Sequence, residues 1–191
     1  MRFAIAIVAA ALLLACALPP PKANFPEIAF RDSPAFRLDV AVIELVESYQ
    51  PPLRTPHVDH ESPVPPLVLL RNWVRDRLVA DGATGSLKAT VVDARITETL
   101  LSVNEDLAAS FTTEQAVRFD GRVEMRLEIM DSAASGHANV YGEATRSRTM
   151  PEDATLRERQ EVLFQIAEDL ANDLNTVLDG NIRQHFARYL R

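Results

Sequence analysis

The sequence is short of several things at once. Its 191 residues include one cysteine, six glycines, one tryptophan, and 20 basic residues against 27 acidic ones. A single cysteine excludes an intrachain disulfide, a cysteine-based zinc cluster and a dithiol redox pair, so apolar burial has to hold the fold. A formal net charge of -7 and a pI near 5.1 argue against a general phosphate-backbone binder, which needs clustered lysine and arginine, so nucleic acid is not expected as a partner. Familiar catalytic motifs are missing too. GATGSLK (Gly82–Lys88) lacks the spacing and the following helix of a phosphate loop, and no GxSxG run supplies an esterase serine. What remains is 47% hydrophobic and 25% charged, the composition of one globular domain with no expected cofactor.

The amino terminus carries the sharpest signal. Arg2 precedes an unbroken apolar run from Phe3 to Leu14, and the small residue Ala15 stands directly before Cys16. Twelve helical residues span about 18 Å, short of a bilayer core of about 30 Å, so the run reads as a cleaved secretory signal over residues 1–15 rather than a membrane span. Leu13, Leu14, Ala15 and Cys16 resemble the lipobox of bacterial lipoproteins. That resemblance implies cleavage between Ala15 and Cys16, acylation of Cys16 and attachment to a membrane by the lipid. Ala17 is not the aspartate that, by the same resemblance, retains many such proteins at the inner membrane, so the outer membrane is favoured. Residues 16–35 follow as lipidated cysteine and proline-rich tether, with five prolines between 17 and 35. Phe25, Ile28 and Phe30 leave two readings open, a free spacer or a strand docked on the domain.

Residues 36–191 read as one α+β domain. Phe36 to Tyr49 begins with the two-residue alternation of a strand, and Gln50 to Pro66 holds six of the twelve prolines and leads into a helix. Leu67, Leu70, Val74 and Leu78 recur at helical spacing, with Gly82 as the expected left-handed stop. Leu87 to Leu101 is a second strand whose alternation falters at Val91 and Val92, where a bulge is expected. Val117 to Ile129 alternates cleanly, and His137 to Thr149 returns with the small-residue face Ala138, Val140, Gly142 and Ala144. Thr155 and Glu158 form a capping-box pattern ahead of a stripe that runs to Leu190. The expected fold is a two-layer sandwich in the order β-α-β-β-β-α. Its four-stranded, mainly antiparallel sheet carries two helices on one face, including a long C-terminal one. A helix from Thr155 to Leu190 would be about 54 Å long against a domain diameter near 40 Å, with Asp179-Gly180-Asn181 as its weak point.

A lipobox, a proline-rich spacer and this order of elements resemble the auxiliary lipoproteins of envelope ABC-type lipid transporters and the lipopolysaccharide-assembly lipoproteins. SPVPPLVLLRNWVRDRL (Ser62–Leu78), FTTEQAVRFDGRVEMRLEI and SRTMPEDATL are also similar to stretches of uncharacterised Gram-negative lipoproteins. The resemblance implies a periplasm-facing, membrane-anchored accessory protein and transfers no catalytic residue.

Residue by residue, the chain offers little chemistry. His57 and His60 in HVDHE, with Asp59 and Glu61, are the one cluster of metal-ligand types, but they lack helical i, i+4 spacing and a third histidine, so solvated loop polarity is the reading and no metal is expected. His137 and His185 read as surface histidines, and Asp120, Glu124 and Glu128 alternate with arginines as a solvated ladder. Two stretches carry candidate partner-binding residues. Ile182, Phe186 and Leu190 form an apolar stripe at the end of the last helix, either core or docking surface. Leu107 and Phe111 belong to the long connection Ser102–Glu114. The expected function is therefore non-enzymatic, assisting an envelope assembly or lipid-transport complex through contact with a protein partner. One alternative is a carrier binding a lipid or other apolar ligand between helices and sheet, and another is an envelope hydrolase. A filled core favours the first, an apolar pocket the carrier, and convergent histidine and carboxylate groups the hydrolase.

Overall fold

The computed structural model describes residues 24–101, 115–131 and 136–191. In chain order the elements are β1 (Phe36–Leu38), β2 (Val42–Glu47), α1 (Pro66–Arg77), β3 (Leu78–Ala80), β4 (Ser86–Leu100), β5 (Gln115–Asp131), β6 (Gly136–Pro151) and α2 (Leu156–His185). The main sheet has the order β2-β4-β5-β6, with β2 parallel to β4 and the other two pairs antiparallel. Both helices lie on its apolar face, so the expected two-layer α+β sandwich is the observed one. Among the described residues no helix is long and apolar enough to cross a membrane.

Alternation builds this sheet. Along β5, Phe119, Val123, Met125, Leu127 and Ile129 are buried toward the helices, and Arg118, Arg122, Glu124, Arg126 and Glu128 take the open face. The bulge expected in β4 is present as a register shift between Val91 and Asp93. The closest helix contact lies where side chains vanish. A Cβ on Gly142 would sit 2.6 Å from Leu178, and one on Gly121 2.6 Å from Ile166, so α2 settles directly on the strand backbones. The small-residue face read in the sequence does admit the helix.

The first strand departs from expectation. Phe36, Leu38 and Val40 are buried as their alternation requires, but Val42 is 56% exposed and Ile43 and Leu45 face the core instead. Around Asp39 to Ala41 the chain leaves a small parallel sheet, β1-β3, and joins the main one, and this break shifts the pattern by one residue and exchanges the faces. Gly82 is not the helix stop. The helix ends at Arg77 because Leu78 turns extended to pair with Phe36, and Gly82 lies against the Asp39–Val40 backbone, where a Cβ would come within 2.5 Å.

At the other helix the capping box is complete. The Thr155 hydroxyl accepts from Glu158 N–H, and the Glu158 carboxylate accepts from Thr155 N–H at 2.6 Å and from the Thr155 hydroxyl at 2.8 Å, two bonds that hold that carboxyl below its usual pKa. The helix runs through Gly180 and stops at His185, about 45 Å long rather than 54 Å. A 3-10 turn, Ala187–Tyr189, then folds the chain back so that Leu190 bridges Leu38.

The packed structure also begins before residue 36. Phe30 is buried and its N–H donates to Asp76 at 3.0 Å, while Asn72 donates to the Ile28 carbonyl at 3.0 Å. Phe25 lies on Phe164 of α2 with ring centroids 5.1 Å apart. Of the two readings for the spacer, the stretch from Asn24 to Ala35 is docked, though not as a strand. Its anchor is Arg77. That fully buried guanidinium pairs with Asp179 at 2.6 Å, donates to the Pro34 carbonyl and stacks over the Phe36 ring at 4.9 Å.

Candidate binding surface on the open sheet face

The face of the sheet away from the helices carries the charged side chains of β4, β5 and β6. Their registers place Asp93, Glu124 and Glu143 directly opposite one another in a single row across three strands. Three carboxylates in line repel, and one arginine gathers them. Arg122 reaches Asp93 at 3.4 Å, Glu124 at 2.8 Å and Glu143 at 2.9 Å, and Arg95, opposite Arg122 in the register, pairs with Asp93 as well. Asp93 is the buried member. Burial outweighs Arg95 and Arg122 and raises its pKa, and among the described residues its Oδ1 has no hydrogen-bond partner. At the other end of the row, Tyr141 donates to Glu143 at 2.6 Å, and that bond, with burial, pushes the phenol up to about 12.

Next to this row the twisted strands leave a depression of about 510 Å³, walled by Arg95 and Thr97 of β4, Asp120 and Arg122 of β5, and Thr145 and Ser147 of β6. Ser147 donates to Asp120, which also pairs with Arg118 at 2.9 Å, so its acceptors and donors are partly engaged already. The adjacent edge is open. β6 is last in the sheet, and among the described residues no strand pairs with its outer side. Asn181 of α2 donates to the Tyr141 carbonyl at 2.7 Å, which marks Tyr141 and the residues at two-residue intervals from it as those presenting backbone N–H and C=O outward.

Glu124 and Glu143 both pair with Arg122, and the ladder reading of Asp120, Glu124 and Glu128 agrees with the ion pairs, including Arg118–Asp120 at 2.9 Å and Lys88–Glu128 at 3.1 Å. The HVDHE cluster is dispersed. Glu61 pairs with Arg159 at 2.8 Å, His60 is exposed, and buried Asp59 accepts from Tyr49 at 3.3 Å. His57 Nδ1 lies 3.9 Å from Asp59 without a hydrogen bond, and among the described residues no three metal-ligand side chains converge. Burial, with Asp59 next, raises the Tyr49 pKa, which leaves it a neutral donor.

The other predicted residues are elsewhere. Ile182 and Phe186 are fully buried and Leu190 is half-buried against Leu38, so this stripe is core and the docking reading of it is corrected. The helix turns inward at His185 instead of overhanging, so its apolar end closes the fold. Ala15, Cys16, Leu107 and Phe111 lie outside the described residues. Sequence reasoning did not single out Asp93 or Arg122, which are joined only by cross-strand register. The one available signal was the bulge at Val91, which shifts Asp93 into the row.

No family model matches the chain, and no curated protein matches it. Among solved structures, it is similar to rare lipoprotein B from Shewanella oneidensis at 12% identity and a TM-score of 0.36, over 73% of this chain and 94% of that one. It is similar as well to a minor lipoprotein from Acinetobacter baumannii at 14% identity and a TM-score of 0.35, over 76% of this chain and 95% of that one. At TM-scores below 0.5 neither likeness assigns a family or a role.

Proposed function

We propose that this chain is a lipid-anchored, periplasm-facing envelope protein that works without catalysis, holding a protein partner of an assembly or lipid-transport complex on the open sheet face and the free β6 edge. The anchor rests on Leu13–Cys16, and Ala17 favours the outer membrane. One structural observation carries the choice of surface. The space between helices and sheet is filled by Leu163, Ile166, Leu170, Leu174 and Leu178 against Gly121 and Gly142, whereas the opposite face bears a polar depression beside the outer edge of β6, with which no described strand pairs. A carrier needs apolar room where these leucines pack, and a hydrolase needs carboxylates that are not bound to arginine. An exposed edge offers main-chain hydrogen bonds to an extended segment, and the charged row beside it sets which segment fits.

The test is photocrosslinking in intact cells from Tyr141, Thr145 and Ser147 of the lipidated protein, with exposed Glu168 on α2 as the comparison position. The expected result is one envelope protein captured from the β6 positions and lost with Cys16→Ser. Capture from Glu168 alone would overturn the surface assignment, and enrichment of a lipid without protein would replace the partner with a cargo.

A further inference from the structure

The three most exposed large apolar side chains among the described residues are Leu100 at 77%, Leu156 at 73% and Leu53 at 65%. They come from different elements, and each lies toward the same end of the molecule. Glu98 ties them together: Leu100 is two residues beyond it, Glu98 N–H donates to the carbonyl of Pro56 three residues after Leu53, and Glu98 pairs at 2.5 Å with Arg159, three residues after Leu156. Leu53 is moreover held at φ 54°, the left-handed region a leucine rarely adopts, with its side chain turned to solvent. Single exposed leucines are ordinary, but the three largest exposures toward one pole call for a reason.

The chain leaves the structure toward that same pole. Traced backwards, the docked segment runs from Phe36 at the level of Arg183, through Phe30 beside Asp76, to Phe25 on Phe164, and so advances along α2 toward its beginning at Leu156. Phe164 is eight residues from Leu156, about 12 Å along the helix. Phe25 stands nine positions after Cys16, a reach of about 28 Å when extended. An anchor at Cys16 therefore holds this end of the domain, and not the end bearing Val42 and Met130, nearest the bilayer.

We infer that the Leu53–Leu100–Leu156 pole is a membrane-contacting surface that seats the domain on the lipid to which it is tethered. The inference rests on the anchor reading above. Arg54 and Arg157 at this pole are accompanied by exposed Glu152 and Asp153, so apolar insertion among headgroups rather than charge attraction carries the contact, and uncharged lipid suffices. Seated this way, the strands stand away from the membrane and the open face remains accessible to a partner.

The test uses the chain from Cys16 to Arg191, coupled through its lone thiol to a maleimide-bearing phospholipid in phosphatidylcholine vesicles. A photoreactive benzoylphenylalanine replaces Leu53, Leu100 or Leu156 in turn, with Met130 and Tyr141 as comparison positions, and lipid adducts are counted by mass spectrometry. The expected yield at each leucine is at least about fivefold that at Met130 or Tyr141. Equal yields, or a higher yield at Met130, would overturn the proposal, and chemical attachment ensures that such a result does not come from missing acylation. Acyl labelling of Cys16 in cells tests the underlying reading separately, and its absence would remove the anchor and the seated orientation together.

Discussion

Gly142 sets how closely the long helix approaches the sheet, and its substitution tests the packing at a single atom. A Cβ there would lie 2.6 and 2.7 Å from two Leu178 carbons and 3.1 Å from Leu174. Gly142→Ala is expected to cost about 1–3 kcal/mol by overpacking. In a Leu178→Ala background the added methyl has room, so a double-mutant cycle in urea should return a coupling of about 1 kcal/mol or more. Asp93 poses a different question, because burial raises its pKa despite two neighbouring arginines. The folded state then binds its proton more readily than the unfolded chain, so ionised Asp93 opposes folding above the folded pKa. That cost fades as pH falls toward the unfolded value of about 3.9. Asp93→Asn should accordingly raise Tm at pH 7 and lose its advantage below about pH 4. A lower Tm for the variant at pH 7 would mean that Arg95 and Arg122 need the charge more than the fold gains from its removal.

Among the elements, α2 carries two opposite expectations within two turns. Gly180 lies inside the helix with nothing within 4 Å of the point where a Cβ would stand, so Gly180→Ala should stabilise by about 1 kcal/mol and raise Tm by about 2–4 °C. Phe186 follows at full burial, with Tyr189 edge-on at 6.3 Å, and Phe186→Ala should cost about 3–5 kcal/mol in denaturant unfolding. Periodicity made both helices and the strands β4, β5 and β6 legible, because each is long enough to display its period and each has one wet face. The three-residue strand β3 shows no period at all, and the alternation that announced β1 did not announce its partner: the two pair because Phe36 and Leu78 are brought side by side by the rest of the fold. The phase flip at Ala41 was hidden for the same reason: which face of β2 is buried depends on the sheet it joins.

On the scale of the whole molecule, the open-face surface was only half legible. Alternating arginines and carboxylates in β5 announced a wet face, but the row of Asp93, Glu124 and Glu143 exists only through cross-strand register, which no single segment encodes. The spacer shows the reverse case, since its prolines announced an extended chain while its burial depended on what lay beneath it. Phe30 fills a place in the core, and Asn72, Asp76 and Arg77 direct polar groups to the segment's backbone. Removing the segment uncovers apolar surface and strips a buried guanidinium of one acceptor, each worth about 1–3 kcal/mol and offset in part by the freed chain entropy. A chain beginning at Phe36 should therefore be less stable than one beginning at Asn24 by about 2–4 kcal/mol, read as a lower urea midpoint. Equal midpoints would make the segment a passive spacer after all, and the tether available to a lipid at Cys16 would lengthen from nine residues to about twenty, about 60 Å at full extension. The unfolding comparison thus decides how far from a membrane the proposed anchor would let this domain work.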